Sequence, residues 1–143
     1  KAVTRLGKRA VFVTRDLSQL PSDLPPCIAS VEYAPFSTLV RHASVFVHHG
    51  GIGTMSQGFA AGVPQLVMPM AHDQPDNENR LHRLGAGIGL VPKKFTPERV
   101  ASALERLTTE ASFATVARDC ARRIADSPSP DRVFEWLEAR ASR

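Results

Sequence analysis

Five short apolar runs, at residues 10–13, 28–31, 44–47, 65–68 and 87–91, carry Val, Ile and Leu with little polar alternation and are bounded by turn residues. A strand with one wet face alternates, whereas runs of this kind suit strands buried on both faces, as in a parallel sheet covered by helices. Helical patterning occupies residues 36–43, 53–61 and 75–84 between them. The order β, loop, β, α, β, α, β, α, β predicts an α/β fold, a Rossmann-like doubly wound parallel sheet. The final third is helical. Thr96 and Pro97 form a cap with proline in the first turn, followed by Val100, Ala103, Leu104 and Leu107 at helical spacing. A second helix gathers Phe113, Val116, Ala117, Cys120, Ala121 and Ile124 on one face, so Cys120 is expected to be a buried thiol. A last helix starts near Asp131, and its Val133, Phe134, Trp136 and Leu137 are expected to pack on the domain. At the other end, Val3, Leu6 and Gly7 read as the close of a helix with no strand before it. In the doubly wound order 3-2-1-4-5-6 that strand is the central one, so the sheet is expected to lack it.

The 143 residues suffice for a single domain, residues 1–143. With Lys1 rather than Met at the start, they are expected to be a piece of something longer. Hydrophobic residues at 43% and charged residues at 22% argue against disorder. The net charge of +4 comes from 18 basic and 14 acidic residues that interleave, which leaves no stripe for nucleic acid. Cys27 and Cys120 make no CxxC, which excludes a disulfide scaffold or a zinc finger and fits a cytoplasmic protein. Neither a membrane span nor a signal peptide is present in the pattern. Placement is more telling: all five His lie between His42 and His82, and eight of nine Gly lie between Gly50 and Gly89.

Within that region, His48-His49-Gly50-Gly51-Ile52-Gly53-Thr54 follows an apolar run and opens a helix. The first N–H groups of a helix lack partners, its dipole is positive there, and glycine lets an anion approach the backbone, so this is a phosphate-binding arrangement. It is neither a dinucleotide loop, since Ser56 stands where the third glycine belongs, nor a Walker loop, since no Gly-Lys-Ser/Thr follows. Adjacent strand residues face opposite ways, so His48 and His49 cannot share a ligand, which counts against zinc and makes His48 a packing residue. Gly62-Val63-Pro64 leads into the run at 65–68, and the loop beyond carries Pro69, His72, Asp73, Gln74 and Asn77. Ligands of open α/β sheets sit beyond the carboxyl ends of the strands, so both loops should face one crevice. Asp73 accepts and Gln74 both donates and accepts, which suits vicinal hydroxyls of a sugar.

This ordered set resembles the donor signature of GT-B fold glycosyltransferases of the UDP-glycosyltransferase group, near the bacterial natural-product and sterol enzymes. The signature is a His-Gly-Gly-x-Gly-Ser/Thr loop, Gly-Val-Pro, a strand ending in Pro, Asp-Gln-x-x-Asn and an Arg three on. It is matched by His49, Gly50, Gly51, Gly53, Thr54, Gly62 to Pro64, Pro69, Asp73, Gln74, Asn77 and Arg80. The resemblance implies the carboxyl-terminal, donor-binding half of such an enzyme. It assigns the pyrophosphate to His49, Gly50, Gly51, Gly53 and Thr54, and the transferred sugar to Asp73 and Gln74. Tyr33, in Tyr33-Ala34-Pro35-Phe36, stands in a segment like the family's Trp-Ala-Pro-Gln and would stack on the base, with Phe36 in place of the Gln. Gln57 stands where many members carry a Glu for the ribose. His72 either closes the sugar pocket or is a solvated loop residue, Asn77 either touches phosphate or supports the helix start, and Arg80 pairs with Asp76.

The implied donor is a UDP- or TDP-sugar, with no cofactor and no metal, and the implied reaction moves a hexosyl group to an acceptor hydroxyl. The family's general base is a His of an amino-terminal acceptor-binding domain that these residues do not include. The chain alone is therefore expected to bind donor and be inactive, with that domain supplied in cis or in trans. A separate donor-binding subunit of a two-chain glycosyltransferase, or a non-catalytic nucleotide-binding module, stays open as an alternative.

Overall fold

The computed structural model describes residues 1–128 and 130–141. In chain order, α1 (Ala2–Arg5) leads to β1 (Ala10–Val13) and β2 (Ile28–Val31), then α2 (Phe36–Leu39), β3 (Phe46–His48), α3 (Ile52–Ala61), β4 (Gln65–Val67), α4 (Gln74–Leu84) and β5 (Gly87–Gly89). Three helices follow: α5 (Pro97–Thr109), α6 (Ala111–Ala125) and α7 (Pro130–Ala141). All strand pairing is parallel, and the α/β class is as read from the sequence.

The sheet is in two pieces. β1 pairs with β2, with Ala10 opposite Ile28, while β4 lies between β3 and β5, with Gln65 opposite Phe46 and Gly87. In the doubly wound order, β2 and β1 take places 3 and 2, and β3, β4 and β5 take places 4, 5 and 6. The ladder is thus interrupted where the first strand belongs, and Val11, Phe12 and Val47 on the bordering strands are exposed. Unpaired strand edges and uncovered apolar side chains both cost stability. The isolated 143 residues are expected to unfold in a broad, weakly cooperative transition, and a single sharp calorimetric endotherm would contradict this.

β4 carries the core. Leu66 and Val67 point to opposite faces and both are fully buried. Val67 packs with Met55, Leu81 and Ala86 under α3 and α4, and Leu66 packs with Ala103 and Leu107 of α5. Strand bounds differ slightly from the sequence pattern. β3 runs from Phe46 to His48 rather than over 44–47, because its ladder opens with Phe46 N–H on the Pro64 carbonyl and closes with Met68 N–H on the His48 carbonyl. β5 stops at Gly89, short of residue 91, as the chain turns into a 3-10 turn at Pro92, which has no N–H to give a ladder.

Among the terminal helices, Thr96 Oγ1 accepts the Arg99 N–H with Pro97 next to it, as the cap pattern requires. Cys120 is half-buried, and burial pushes its thiol up from the usual range. The expectation for α7 does not hold: Phe134 is 62% and Trp136 57% exposed, with Val133 and Leu137 about as open. After Ser127 and Pro128 break the helical run, α7 leaves this apolar face uncovered, and the Arg140 guanidinium lies 4.8 Å above the Trp136 ring. Among the described residues no helix is long and apolar enough to cross a membrane.

Candidate functional site

β3 ends at His48 and α3 begins at Ile52, with Gly51 as an extended N-cap that offers no side chain. Met55 N–H is the first to turn back, to the Gly51 carbonyl at 2.9 Å. The N–H groups of Ile52, Gly53 and Thr54 therefore precede the helical ladder, at the positive end of the α3 dipole. Behind them, Gly50 is buried with φ of 92°, a left-handed conformation that disfavours side chains. A Cβ there would also come within 2.7 Å of Val67 Cγ1. Glycine is required at this point on both counts.

The peptide groups of Gly50 are held from inside the protein. Its N–H donates to His48 Nδ1 at 3.0 Å, and its carbonyl accepts from Asn77 Nδ2 at 3.0 Å. Since His48 Nδ1 accepts, the ring proton sits on Nε2, which donates to Gln65 Oε1 at 2.7 Å. Burial is the main cause that takes His48 down to about 4, opposed by the Gln65 hydrogen bond, with a smaller push the same way from His49. His48 is thus neutral and inward, as its strand position implies. His49, just beyond the end of β3, is exposed, its ring perpendicular to that of His48 with centroids 6.4 Å apart. Its Nε2 lies over Gly51, where a Cβ would stand only 2.6 Å away.

The second loop meets the first through Asn77. One N–H of this buried amide goes to the Gly50 carbonyl and the other to Asp73 Oδ2 at 2.7 Å. Both Asn77 donors are thus spent within the protein, tying the glycine loop to the start of α4. Asp73 is exposed, and its Oδ1 takes no part in the bond to Asn77. Gln74 Oε1 accepts the Met70 and Ala71 N–H groups at 2.8 and 3.2 Å, which folds the loop upon itself and leaves Nε2 as the half available outside. His72, with φ of 58°, is the one non-glycine residue in the left-handed region among the described residues, and its side chain is exposed. Arg80 Nε pairs with Asp76 Oδ2 at 2.8 Å, as expected.

Tyr33 and Gln57 lie apart from these two loops. They line a cavity of about 480 Å³ with Val13, Thr14, Pro35 and Phe36, beyond the carboxyl ends of β1 and β2. That volume lies within the usual range for small-molecule sites. α3 connects the two parts, since Gly53 and Thr54 lie in its first turn and Gln57 follows about one turn later. Among the described residues, no three His, Cys, Asp or Glu side chains gather where they could hold a metal ion. The partner missed from the sequence is Gln65. A lone amide inside an otherwise apolar run was the available signal, because a buried polar side chain must find a partner.

A family model described as erythromycin biosynthesis protein CIII-like, C-terminal domain, matches residues 4–140. The chain is 31% identical over 140 residues to aclacinomycin-T 2-deoxy-L-fucose transferase of Streptomyces galilaeus, which covers 96% of this chain and 32% of that protein. It is 36% identical over 123 residues to the elloramycin glycosyltransferase ElmGT of Streptomyces olivaceus, with 86% and 30% covered. Its fold is similar to that of the spinosyn rhamnosyltransferase SpnG complexed with thymidine diphosphate, with a TM-score of 0.87, 28% identity, and 96% and 38% of the two chains covered. The chain spans about a third of the length of the curated relatives it matches. With the match running over nearly all of its residues, the chain belongs to the erythromycin biosynthesis protein CIII-like, C-terminal domain family of GT-B glycosyltransferases.

Proposed function

We propose that this chain is the donor-binding domain of a glycosyltransferase, and that it binds a nucleoside diphosphate sugar without a metal. The observation that carries the proposal is the start of α3: three N–H groups outside the helical ladder, with His49 exposed beside them and Asp73 linked to the same loop by Asn77. Diphosphate oxygens would take the N–H groups of Ile52, Gly53 and Thr54, with His49 as a further donor. Asp73 Oδ1 and Gln74 Nε2 would meet sugar hydroxyls, with His72 at the edge of that pocket. As the anomeric C–O bond breaks, charge grows on the β-phosphate, and donors already in place stabilise it without reorganising. That role needs no metal ion, so chelators should leave binding unchanged.

The cavity beside Tyr33 and Gln57 would take the base and ribose, with Tyr33 as stacking surface. UDP- and TDP-sugars both fit this description, and the thymidine diphosphate complex of SpnG supports the second. The acceptor and its general base would come from a further domain, in cis or in trans, which agrees with the third of its relatives' length that the chain spans. On its own the chain should transfer little, and its two free cysteines suit the cytoplasm. Calorimetric titration with thymidine diphosphate and uridine diphosphate tests the proposal. The His49→Ala variant is expected to bind about ten-fold more weakly or worse, with the fold unchanged. Equal affinity in variant and parent would remove the role given to His49.

A further inference from the structure

Gln65 is a costly residue for the middle of a sheet. It is fully buried on β4, and its Nε2 has no hydrogen-bond partner among the described residues. Leu or Met would fill the same space without a polar atom to satisfy. Room for the amide is made by α3, which places Gly58 against it: a Cβ at that position would stand 2.7 Å from Gln65 Nε2. The return lies on the other side of the amide, where Oε1 accepts from His48 Nε2. With its proton held on Nε2, His48 has Nδ1 free to accept the Gly50 N–H. Turning the amide over would set two donors against each other, so the orientation of Gln65, the tautomer of His48 and the direction of the Gly50 peptide are fixed together.

We propose that His48 and Gln65 are positioning residues for the glycine loop: Gln65 sets the His48 tautomer, and His48 holds the Gly50 N–H inward, so that His49 and the N–H groups of Ile52, Gly53 and Thr54 face a diphosphate. Neither side chain touches the ligand. The assignment rests on the donor-site reading and adds a mechanism by which a half-buried and a buried residue control affinity.

Two substitutions at one position separate positioning from bulk packing. In His48→Asn, Oδ1 stands where Nδ1 stood and still accepts the Gly50 N–H, but the link to Gln65 is cut. In His48→Gln, an amide reaches toward Gln65 and nothing is left at the Nδ1 place. Thymidine diphosphate is titrated into the protein expressed from its own reading frame and into each variant, with melting temperatures measured in parallel. Imidazole ¹⁵N shifts report the His48 tautomer, and hydrogen exchange reports protection across residues 46–52. The parent should show the Nε2–H tautomer and slow exchange at Gly50. His48→Asn should keep affinity within about three-fold, while His48→Gln loses about ten-fold or more together with loop protection. Variants that weaken in proportion to their melting temperatures, or that bind as the parent does, would overturn the assignment. So would an Nδ1–H tautomer in the parent. A parent that takes up no thymidine diphosphate removes the donor-site reading and this assignment with it, whereas a parent that binds while both variants weaken alike removes this assignment alone.

Discussion

Acidification from neutral pH to about 4 is expected to cost the fold roughly 3 kcal/mol through His48 alone. In the unfolded chain this imidazole titrates near its ordinary 6.5, whereas in the native state burial holds it down to about 4. Between those values the unfolded chain carries a proton that the folded chain does not, so stability rises with pH across the window. The contribution is complete above 6.5, is lost as pH falls toward 4, and changes no further once both states are protonated. The Cys120 thiol and the Arg106 and Arg122 guanidiniums are shifted upward and act far above this window, and the shifted carboxylates act lower. Asp16, Glu98 and Glu110 are exposed carboxylates held below ordinary values of 3.8, 4.5 and 4.5, so they lose stability only beneath that range. Denaturant midpoints between pH 7 and 4.5 therefore isolate the histidine. The parent should weaken steadily there, and His48→Asn should lack that slope. An equal slope in both would show that the effect comes from elsewhere.

Replacement of Gly87 by Ala should destabilise the chain by about 3 kcal/mol or more. Gly87 lies on β5, opposite Gln65, and is buried. An added Cβ would overlap the Gln65 carbonyl oxygen and come within 2.7 Å of Leu81 Cδ2. The carbonyl is fixed in the sheet and Leu81 is fully buried, so neither can move aside without opening the ladder or the core. Gly53 is the natural comparison. A Cβ there meets nothing within 4 Å, and alanine improves the first turn of α3, so Gly53→Ala should be neutral or slightly stabilising. Chemical denaturation of the two variants side by side checks this, and equal midpoints would refute the steric account.

The architecture was legible because its strands are short, apolar and parallel, which left burial on both faces as the simplest reading; β4 meets it with Leu66 and Val67, whereas β1, β2 and β3 are half-buried or exposed. The interruption of the sheet agrees with the strand order read from the sequence pattern. Its outcome, two separate ladders, is a property of the folded chain. In the candidate site, glycine spacing identified the start of α3, because the chemistry proposed there would depend on backbone groups that any sequence supplies once the helix begins there. Side-chain duties were harder to read. Asn77 and Gln74 look from the sequence like groups aimed at a ligand, yet both also tie loops together. Only the geometry of the fold decides which of an amide's hydrogens remain free. α7 was misjudged because helical spacing identifies an apolar face without saying what covers it.

The divided sheet has a consequence for the energetics of a bound nucleotide. Phosphates at the head of α3 would rest on the β3–β4–β5 sheet, and a base beside Tyr33 would rest on the loop after β2. Among the described residues the two sheets share no ladder, so in a chain of these 143 residues alone the nucleotide would bridge them. Its measured affinity would then include the work of aligning both halves, and saturation should raise the temperature at which they come apart together.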